Sequence, residues 1–226
     1  KVGKMNIPNL NFPKTLMILD KNEDLNLNKL PPNCVIKTNN GSGDVIVIKD
    51  RKIKVMTGRG ESYTKKISEY KKWRVKSLIP HVTQTENHYK YIKPVIFVEE
   101  YLGDNIKDYK IYVIKGKFAF CQIISERYKS GKTYQNFYDK DFNSLSFTKG
   151  KHSNYDNISR PKKYLELISI SENIAKNTGF DFIRVDLYYV NEKIYLGELT
   201  FVPASGNKKY MIRPEKYDLK IGSLWT

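Results

Sequence analysis

The chain of 226 residues is long enough to bury a substantial core, either as one large domain or as two lobes. Its formal net charge of +16 suggests a polyanionic partner, but the 40 Lys and Arg residues are spread along the whole length without a basic cluster. A nucleic-acid partner is therefore not expected. The apolar runs are too short for a transmembrane segment, and no signal-peptide pattern opens the chain.

The two cysteines indicate the compartment. Cys34 and Cys121 both lie inside apolar, strand-like runs, which is typical of buried thiols in a reducing environment rather than of a disulfide framework. We therefore expect a cytoplasmic protein. Because the sequence begins with Lys1 rather than Met, we also expect that an N-terminal piece is missing.

The first predicted hairpin encloses a glycine-rich loop. The segments CVIKT and DVIVIKD are predicted as strands joined by NNGSG, residues 39–43. A mononucleotide P-loop leads into a helix, whereas this loop leads into a second strand, so we interpret it as a flap over a ligand. Gly41 and Gly43 allow close backbone approach to phosphate oxygens, and Lys37 adds positive charge. An ordinary Gly-rich hairpin turn is the alternative interpretation.

The middle of the chain alternates helical and strand patterns. A surface helix is predicted in SYTKKISEYKKWRVKSLI, with Tyr63, Ile67, Tyr70 and Arg74 at helical spacing. VIFVEEYLG is predicted as a buried strand, and YKIYVIKGKFAFCQIIS as a hairpin that turns at Lys115-Gly116. The polar segment 126–160 has no strong periodicity and is long enough to be functional or mobile.

A second helix precedes the most informative segment of the chain. It is predicted to start at Pro161 and to end at Gly179, with Leu165, Ile168 and Ile174 facing inward. The next segment, IRVDLYYVNEKIYLGELTFVPASG, alternates as two strands around Asn191-Glu192-Lys193, so a β-hairpin follows the helix.

Four polar side chains interrupt the apolar pattern of this hairpin. If the loop is centred on Glu192, Asp186 lies opposite Glu198, and Arg184 lies opposite Thr200. Two carboxylates about 5 Å apart repel by roughly 3 kcal/mol at an effective dielectric constant near 20, and a divalent cation between them would reverse the sign. Mg²⁺ is favoured because it prefers hard oxygen ligands. The alternative is a solvated face whose acids pair with Lys.

Taken in order, these elements resemble the ATP-grasp superfamily, and more closely the TupA-like amidoligases found with bacterial polysaccharide biosynthesis. The resemblance spans about Leu30 to the C-terminus. It implies an α+β ATP-grasp fold, in which two α+β lobes with antiparallel sheets hold ATP between them. Residues 1–30 would be the remnant of an N-terminal segment or linker, residues 31–98 the small lobe with the glycine flap, and residues 99–226 the large lobe with a metal-binding hairpin.

The resemblance also implies roles for individual residues. Arg184 and Lys37 would be catalytic, and one or two Mg²⁺ ions would bind Asp186, Glu198 and Thr200, the last of which departs from the Asn usual in the superfamily but matches the GELTF pattern of the subgroup. Arg127, Ser205 and Gly206 would contact the substrate. ATP would bind Lys37, Asn40, Gly41, Ser42, Gly43, Glu99, Glu100, Tyr101, Leu102, Asp108 and Lys110.

The implied activity is ATP-dependent ligation of a carboxylate to an amine through an acyl phosphate. The acid would be a small molecule or a glycan, in the synthesis of a cell-surface polysaccharide or a peptide polymer. Charge management dominates such chemistry, which accounts for polar residues on an otherwise apolar hairpin. An ATP-grasp phosphotransferase, an inactive nucleotide-binding module and a basic nucleic-acid binder are the alternatives.

Overall fold

The computed structural model describes residues 5–58, 61–80, 87–104, 106–125, 133–149, 158–206 and 212–225. These residues form two compact units. The small unit is Pro13–Leu102, and the large unit combines the described parts of Lys1–Phe12 and Gly103–Thr226. The predicted boundaries after residues 30 and 98 thus differ from the observed ones after residues 12 and 102, because the N-terminal segment contributes strands to both units.

The small unit is built on a six-stranded antiparallel sheet with one helix, α1 (Tyr70–Leu78). The strand order is β2-β7-β3-β4-β5-β6. Alternate residues of the central strands point to a core that also contains Tyr70 and Trp73 of α1. The bounds are β2 Thr15–Leu19, β3 Cys34–Thr38, β4 Val45–Lys49, β5 Lys52–Gly58, β6 Glu61–Ser62 and β7 Ile96–Glu100.

Helix α1 is shorter than predicted. It begins at Tyr70, after a 3₁₀ turn over Ile67–Glu69, and Ser62 belongs to β6, where it pairs with Thr57. The buried positions of the helix are Tyr70, Trp73, Arg74 and Ser77, a spacing of three and four residues. Ile67, which lies at helical spacing from Tyr70 and Arg74, is exposed and precedes the helix. Strand pairing with β5 therefore overrides the helical pattern at its N-terminal end.

The large unit is built on a second six-stranded sheet, ordered β1-β13-β12-β8-β9-β10. All neighbours are antiparallel except the parallel pair of β1 and β13. The predicted hairpin turn at Lys115-Gly116 is confirmed, since both residues have positive φ between β8 and β9. The bounds are β1 Leu10–Asn11, β8 Asp108–Ile114, β9 Lys117–Ser125, β10 Tyr134–Tyr138, β12 Phe182–Val190 and β13 Lys193–Thr200.

Helix α2 (Tyr164–Thr178) covers one face of this sheet and ends, as predicted, at Gly179, whose φ is +73°. Its buried stripe includes Leu167, Ile168 and Ile174, which pack against the core-facing residues of β8, β9 and β12. The predicted inward orientation of Leu165 is wrong, because Leu165 lies outside this stripe and is 51% exposed. Apolar identity at a helical position did not by itself decide which face was buried.

The opposite face of the large sheet carries a second, aromatic cluster that includes Tyr112, Phe120 and Phe137. A two-stranded sheet of β11 (Thr148–Lys149) and β14 (Ile212–Arg213) and the helix α3 (Glu215–Gly222) belong to the same unit. Strands β10 and β11 lie in the polar segment for which the sequence predicted no regular structure. The helices in the described ranges are all too short or too polar to serve as membrane-spanning segments.

Both cysteines are free and fully buried, one in each unit, which confirms their interpretation as buried thiols. Burial raises the pKa of the Cys34 thiol to about 11, so this side chain is an unreactive part of the core.

Candidate active site

The β12–β13 hairpin has a tighter turn than predicted. Asn191 and Glu192 both have left-handed φ values, +49° and +60°, and Val190 pairs with Lys193 across a two-residue turn. The predicted three-residue loop centred on Glu192 is therefore wrong. A bulge at Gly197 adds one residue to β13, because Leu187 pairs with Leu196 whereas Asp186 pairs with Glu198.

The bulge restores the predicted register at the far end of the hairpin. Asp186 is paired with Glu198 and Arg184 with Thr200, as the sequence predicted. A two-residue turn without the extra residue would have placed Asp186 opposite Gly197. The shorter turn and the bulge thus compensate for each other, so the predicted pairing is correct although the predicted loop is not.

Cross-strand pairing extends this arrangement over the sheet. Directly opposite residues share a face, so a row runs from Glu198 through Asp186 and Lys110 to Gln122. Arg184 lies opposite Tyr112 in the neighbouring row. Both rows lie on the face opposite to α2, whose neighbours are Ile111, Ile123 and Val185 among others. One face of the sheet is thereby a hydrophobic core, and the other carries these charged side chains beside the aromatic cluster.

Asp186 lies at the centre of these charged side chains. Its side chain is 3% exposed and accepts hydrogen bonds from Arg184 Nε and Nη2, at 2.6 and 2.8 Å, and from Lys110 Nζ. Burial alone would raise the pKa of Asp186, but Lys110 and Arg184 outweigh it and lower the pKa below its usual range. The repulsion between Asp186 and Glu198 that the sequence suggested is offset here, because Lys110 and Arg184 both pair with Asp186.

Glu198 and Thr200 are linked to the same guanidinium. Arg184 Nη2 donates to Thr200 Oγ1 at 2.8 Å, and the Thr200 hydroxyl donates to Glu198 Oε1 at 2.7 Å. The Glu198 carboxylate is 3.8 Å from Arg184 Nη2, and its side chain is 48% exposed. Thr200 therefore connects the buried acid–base pair to an acid that solvent can reach.

The oxygens of Asp186, Glu198 and Thr200 suit a hard cation such as Mg²⁺. Over the described residues, no three or more His, Cys, Asp or Glu side chains cluster in a way that could bind a metal. Two carboxylates and a hydroxyl are a partial donor set for Mg²⁺, which commonly completes its coordination with water or a bound ligand.

Asp108 and Lys110 lie side by side on β8. Asp108 Oδ2 is 2.8 Å from Lys110 Nζ, so this ammonium bridges two carboxylates, those of Asp108 and Asp186. Asp108 and Lys110 are both buried, and the strand pairs Asp108 with Tyr188. Asp108 and Lys110 thus form a buried ion pair on the charged face of the sheet.

In the small unit, Lys37 pairs with Glu99. Lys37 Nζ lies 2.6 Å from Glu99 Oε2, with side-chain exposures of 25% and 15%. Strands β3 and β7 are neighbours, and Val35 is the residue directly opposite Glu99. The ammonium predicted to bind phosphate is therefore paired with an acid of the neighbouring strand.

The glycine loop is anchored at its base. The Asn39 amide donates to the Lys93 carbonyl, and Asn39 Oδ1 accepts from Val95 N–H, at 3.1 and 2.9 Å. Gly43 has a left-handed φ of +82°, and its carbonyl accepts a 2.9 Å hydrogen bond from Thr57 Oγ1. Gly41 is partly exposed, whereas Ser42 and Gly43 are exposed, so their backbones are open to a ligand.

Asn40 is the anomalous residue of this loop. It is fully buried, and neither Oδ1 nor Nδ2 has a hydrogen-bond partner within the described residues. A buried amide without partners costs on the order of 1–3 kcal/mol. An unsatisfied group of this kind points to a ligand or a loop rearrangement that supplies its partners.

The segment Glu99–Leu102 is only partly available for a ligand. Strand β7 has neighbours on both sides at Glu99, and Glu100 N–H donates to the Lys14 carbonyl at 3.0 Å. The Glu100 carboxylate accepts from Lys14 N–H at 2.9 Å. Tyr101 and Leu102 follow the end of the strand.

The predicted substrate residues are less informative. Arg127 lies outside the described residues, and Ser205 and Gly206 form part of a short 3₁₀ turn after β13. The sequence argument missed Lys149, whose ammonium reaches the charged face of the sheet. In the sequence, Lys149 is one of several lysines in a polar segment, and nothing there distinguishes it from a surface lysine.

A cavity of about 790 Å³ in the small unit is a separate feature. It is bordered by Leu19, Asp20, residues 23–29, Ile67 and Tyr70, and it includes the acids Asp20, Glu23 and Asp24. Three acids would repel a nucleotide's phosphates, so we do not assign the nucleotide to this cavity.

The sheets, the glycine loop and the charged hairpin define an ATP-grasp fold. The chain belongs to the TupA-like ATP-grasp family, whose model matches residues 6–226. This confirms the family resemblance and the α+β fold. A search of curated proteins gave no match.

One solved structure supports the fold, and two others are similar at lower TM-scores. D-alanine–D-alanine ligase from Bacillus anthracis aligns at 17% identity over 94% of this chain and 59% of that chain, with a TM-score of 0.50. The Helicobacter pylori ligase of the same name aligns at 17% identity over 87% and 49%, with a TM-score of 0.39. The ATP-grasp ligase PsnB, in complex with a minimal precursor, aligns at 11% identity over 85% and 46%, with a TM-score of 0.38. The chain thus spans about three fifths or less of each of these proteins.

Proposed function

We propose that this chain carries the ATP-binding and phosphoryl-transfer site of an ATP-dependent carboxylate–amine ligase. The observation that carries the proposal is the array of Arg184, Asp186, Lys110 and Glu198 on one sheet face of a TupA-like ATP-grasp protein. Two acids for a metal and two cations for phosphate are the groups that phosphoryl transfer needs.

Binding of ATP with Mg²⁺ requires the charges to change partners. Asp186, Glu198 and the Thr200 hydroxyl would bind one or two Mg²⁺ ions together with the nucleotide, which would neutralise charge on the phosphate oxygens. Arg184 and Lys110, which both contact Asp186 in the ligand-free protein, would then transfer to phosphate oxygens. In this proposal, Arg184 and Lys110 remain paired with Asp186 until phosphate oxygens replace its carboxylate.

The small unit would contribute the remaining nucleotide contacts. Lys37 would exchange Glu99 for a phosphate, and the loop from Asn40 to Gly43 would present its amides to the phosphates. The buried Asn40 amide supports this role because it lacks partners in the ligand-free protein. The adenine edge would meet main-chain groups of the segment Glu99–Leu102 at the end of β7.

The reaction proceeds in two steps. A carboxylate oxygen of the acid attacks the γ-phosphorus of ATP, ADP leaves, and an acyl phosphate forms. The amine then attacks the acyl carbon, phosphate leaves with the C–O bonding electrons, and the amine nitrogen loses a proton as the amide forms. Arg184 stabilises the negative charge on the phosphoryl oxygens in the first step and on the oxyanion in the second.

The proposed substrates follow from the family. The acid is a small molecule or a glycan, the acceptor is an amine, and the product belongs to a cell-surface polysaccharide or a peptide polymer. Arg127, Ser205 and Gly206 are proposed as acid contacts. We place the reaction in the cytoplasm, where ATP is abundant.

Trapping of the acyl phosphate tests the proposal. With ATP, Mg²⁺ and a panel of acids that includes uronic acids and glutamyl compounds, hydroxylamine should convert the intermediate to a hydroxamate, with release of ADP and phosphate. Asp186→Asn should abolish the product, whereas Glu192→Gln, at an exposed acid in the turn of the same hairpin, should not. ADP with a stable phosphoester and no hydroxamate would show a phosphotransferase instead.

A further inference from the structure

A closed ring of hydrogen bonds lies on the charged face of the large sheet. Lys149 Nζ donates to Tyr112 Oη at 2.7 Å, and the Tyr112 hydroxyl donates to Gln122 Oε1 at 3.0 Å. Gln122 Nε2 donates to Gln135 Oε1 at 2.9 Å, and Gln135 Nε2 donates to the Lys149 carbonyl. The ring starts and ends at Lys149 and joins β8, β9, β10 and β11.

The ring is held rigidly by aromatic packing. Tyr112 is 4% exposed, and its ring stacks on Phe120 with a centroid separation of 4.1 Å. Gln122 and Gln135 are also buried. A polar network that is buried and fully paired fixes the position of its members. The Lys149 ammonium is therefore placed in one position rather than left to sample solvent.

The surroundings of Lys149 are unfavourable for a positive charge. The pKa of Lys149 is lowered to about 8, first by burial and then by the nearby charges of Arg184 and Lys110, which Asp186 and Asp218 only partly oppose. Asp186 is already paired with both of the other cations. In the described part of the chain, the ammonium donates one hydrogen bond, to Tyr112, although it has three N–H groups.

We propose that Lys149 is a substrate-binding residue whose ammonium contacts an anionic oxygen of the acid that is to be ligated, with Tyr112, Gln122 and Gln135 as its positioning residues. The proposal rests on the ligase function proposed above. A carboxylate at this position accepts from the N–H groups of Lys149 that do not bond Tyr112 within the described residues. The Tyr112 hydroxyl lies beside both Lys149 and the Arg184 guanidinium, so the bound acid is next to the proposed phosphoryl acceptor position.

The chemical class of the substrate follows from this contact. Lys149 offers a point charge with separate donors rather than the planar fork of an arginine, so it suits one carboxylate oxygen and does not demand two. Lys37 and Lys110 remain the cations for the nucleotide. Substitution of Lys149 should therefore weaken binding of the acid substrate but not binding of ATP.

Protection from amine labelling tests the site without turnover. The whole chain, with ADP and Mg²⁺ present, is treated with acetic anhydride near neutral pH, and acetylation of Lys149 is followed by mass spectrometry. Added acetate, the simplest carboxylate, should lower the labelling rate up to roughly tenfold, because each unit of increase in the pKa lowers the neutral amine tenfold. Exposed Lys193 is the internal control and should label at an unchanged rate.

Other probes separate the alternatives. Protection by inorganic phosphate but not by acetate would assign Lys149 to the phosphate site and overturn the proposal. An unchanged labelling rate with both probes would also overturn it. Neither result would touch the ligase proposal, which fails only if the wild-type protein forms no hydroxamate with any acid.

Variants provide the kinetic test once the hydroxamate assay has identified an acid. Lys149→Met should raise the KM for the acid about tenfold or more, whereas the KM for ATP should change by less than about twofold, a change worth under 1 kcal/mol at 1.4 kcal/mol per tenfold. Lys149→Arg should restore part of the acid affinity, because it keeps the charge. Lys193→Met should behave as wild type. Equal effects on both substrates, or no rescue by arginine, would indicate a merely structural role.

Discussion

Asp186 is the residue at which two cations from different strands converge. Lys110 of β8 and Arg184 of β12 both contact its carboxylate, which is almost completely buried. Removal of one member of a buried charge group leaves the others without a counter-ion, and this is more costly than the net worth of the pair.

We predict that Asp186→Asn destabilises the metal-free protein by about 3 kcal/mol, since Arg184 and Lys110 lose their buried counter-ion. Glu198→Gln should change the unfolding free energy by less than about 1 kcal/mol, because Glu198 is half exposed and 3.8 Å from Arg184. Urea unfolding in EDTA measures both. A gain in stability for Asp186→Asn would mean that repulsion, and not the ion pairs, dominates this position.

For Lys149 we predict that substitution stabilises the protein, in contrast to substitution of Asp186. The pKa of Lys149 is about 8 in the folded protein, below the usual 10.5. Near pH 7 the side chain is protonated in both states, and its positive charge is less stable in the folded protein than in the unfolded chain. Between about pH 8 and 10.5, the unfolded chain binds more protons than the folded one, and the wild-type protein should gain stability as pH rises. Lys149→Met should therefore raise the free energy of unfolding by roughly 1–3 kcal/mol near pH 7, and this advantage should shrink towards pH 10.5.

Thermal or urea unfolding across this pH range checks the prediction, with Lys193→Met as the matched control at an exposed lysine. The control should show no such pH dependence. A loss of stability in Lys149→Met near pH 7 would show that its bond to Tyr112 outweighs the cost of the buried charge.

At the scale of elements, the β12–β13 hairpin depends on one irregularity. The bulge at Gly197 sets Asp186 opposite Glu198 after a two-residue turn. A Cβ atom at Gly197 would lie 2.8 Å from two ring carbons of Tyr188. The missing side chain therefore makes room for an aromatic ring on the paired strand.

We expect Gly197→Ala to destabilise the protein by about 1–2 kcal/mol, because overpacking forces Tyr188 from its position. Truncation of the ring in Tyr188→Ala should remove most of the penalty, so that the double variant is less destabilised than the sum of the single changes. Unfolding free energies of the four proteins form the cycle. Strict additivity would show that the clash is relieved elsewhere, for example by backbone movement at the bulge.

Helix α2 shows how far an apolar pattern reaches. Its end at Gly179 and its buried Ile168 and Ile174 were predictable, because a left-handed glycine and a spacing of three and four residues are local signals. The exposure of Leu165 was not predictable from its identity, since the sheet below selects one stripe and leaves an apolar residue beside it.

At the scale of the whole molecule, the proposed function predicts that binding of nucleotide and binding of metal depend on each other, because both require charged side chains to change partners. Asp186 is paired with cations, Lys37 is paired with Glu99, and Asn40 lacks partners in the ligand-free protein. ATP and Mg²⁺ together satisfy all of these groups under the proposed function. Either one alone satisfies only part of them.

ATP with Mg²⁺ should therefore raise the melting temperature of the wild-type protein. A ligand at about one hundred times its Kd stabilises the folded state by about 2.7 kcal/mol. EDTA should remove most of this shift. Differential scanning fluorimetry measures it, with Asp186→Asn as the variant that should respond weakly. Equal shifts with and without Mg²⁺ would contradict the assignment of Asp186 and Glu198 to a metal.

The sequence by itself determined the local structure and its polarity. Alternation in β12 and β13 placed Asp186 and Glu198 on one face, and the order of loop, strand and hairpin indicated the ATP-grasp family. The shared face follows from periodicity, which acts over a few residues. The family was indicated by the resemblance of these segments, in this order, to known ATP-grasp proteins.

Tertiary structure alone decided which charges meet. Lys110 and Asp186 are 76 positions apart, and Tyr112 and Lys149 are 37 apart, so no local pattern pairs them. Strand order brings the first pair together, and packing of the short strand β11 against the aromatic face brings the second. The charge of a side chain can be read from sequence, but its counter-ion, and therefore its pKa and its availability to a substrate, depends on neighbours that only the folded sheet supplies.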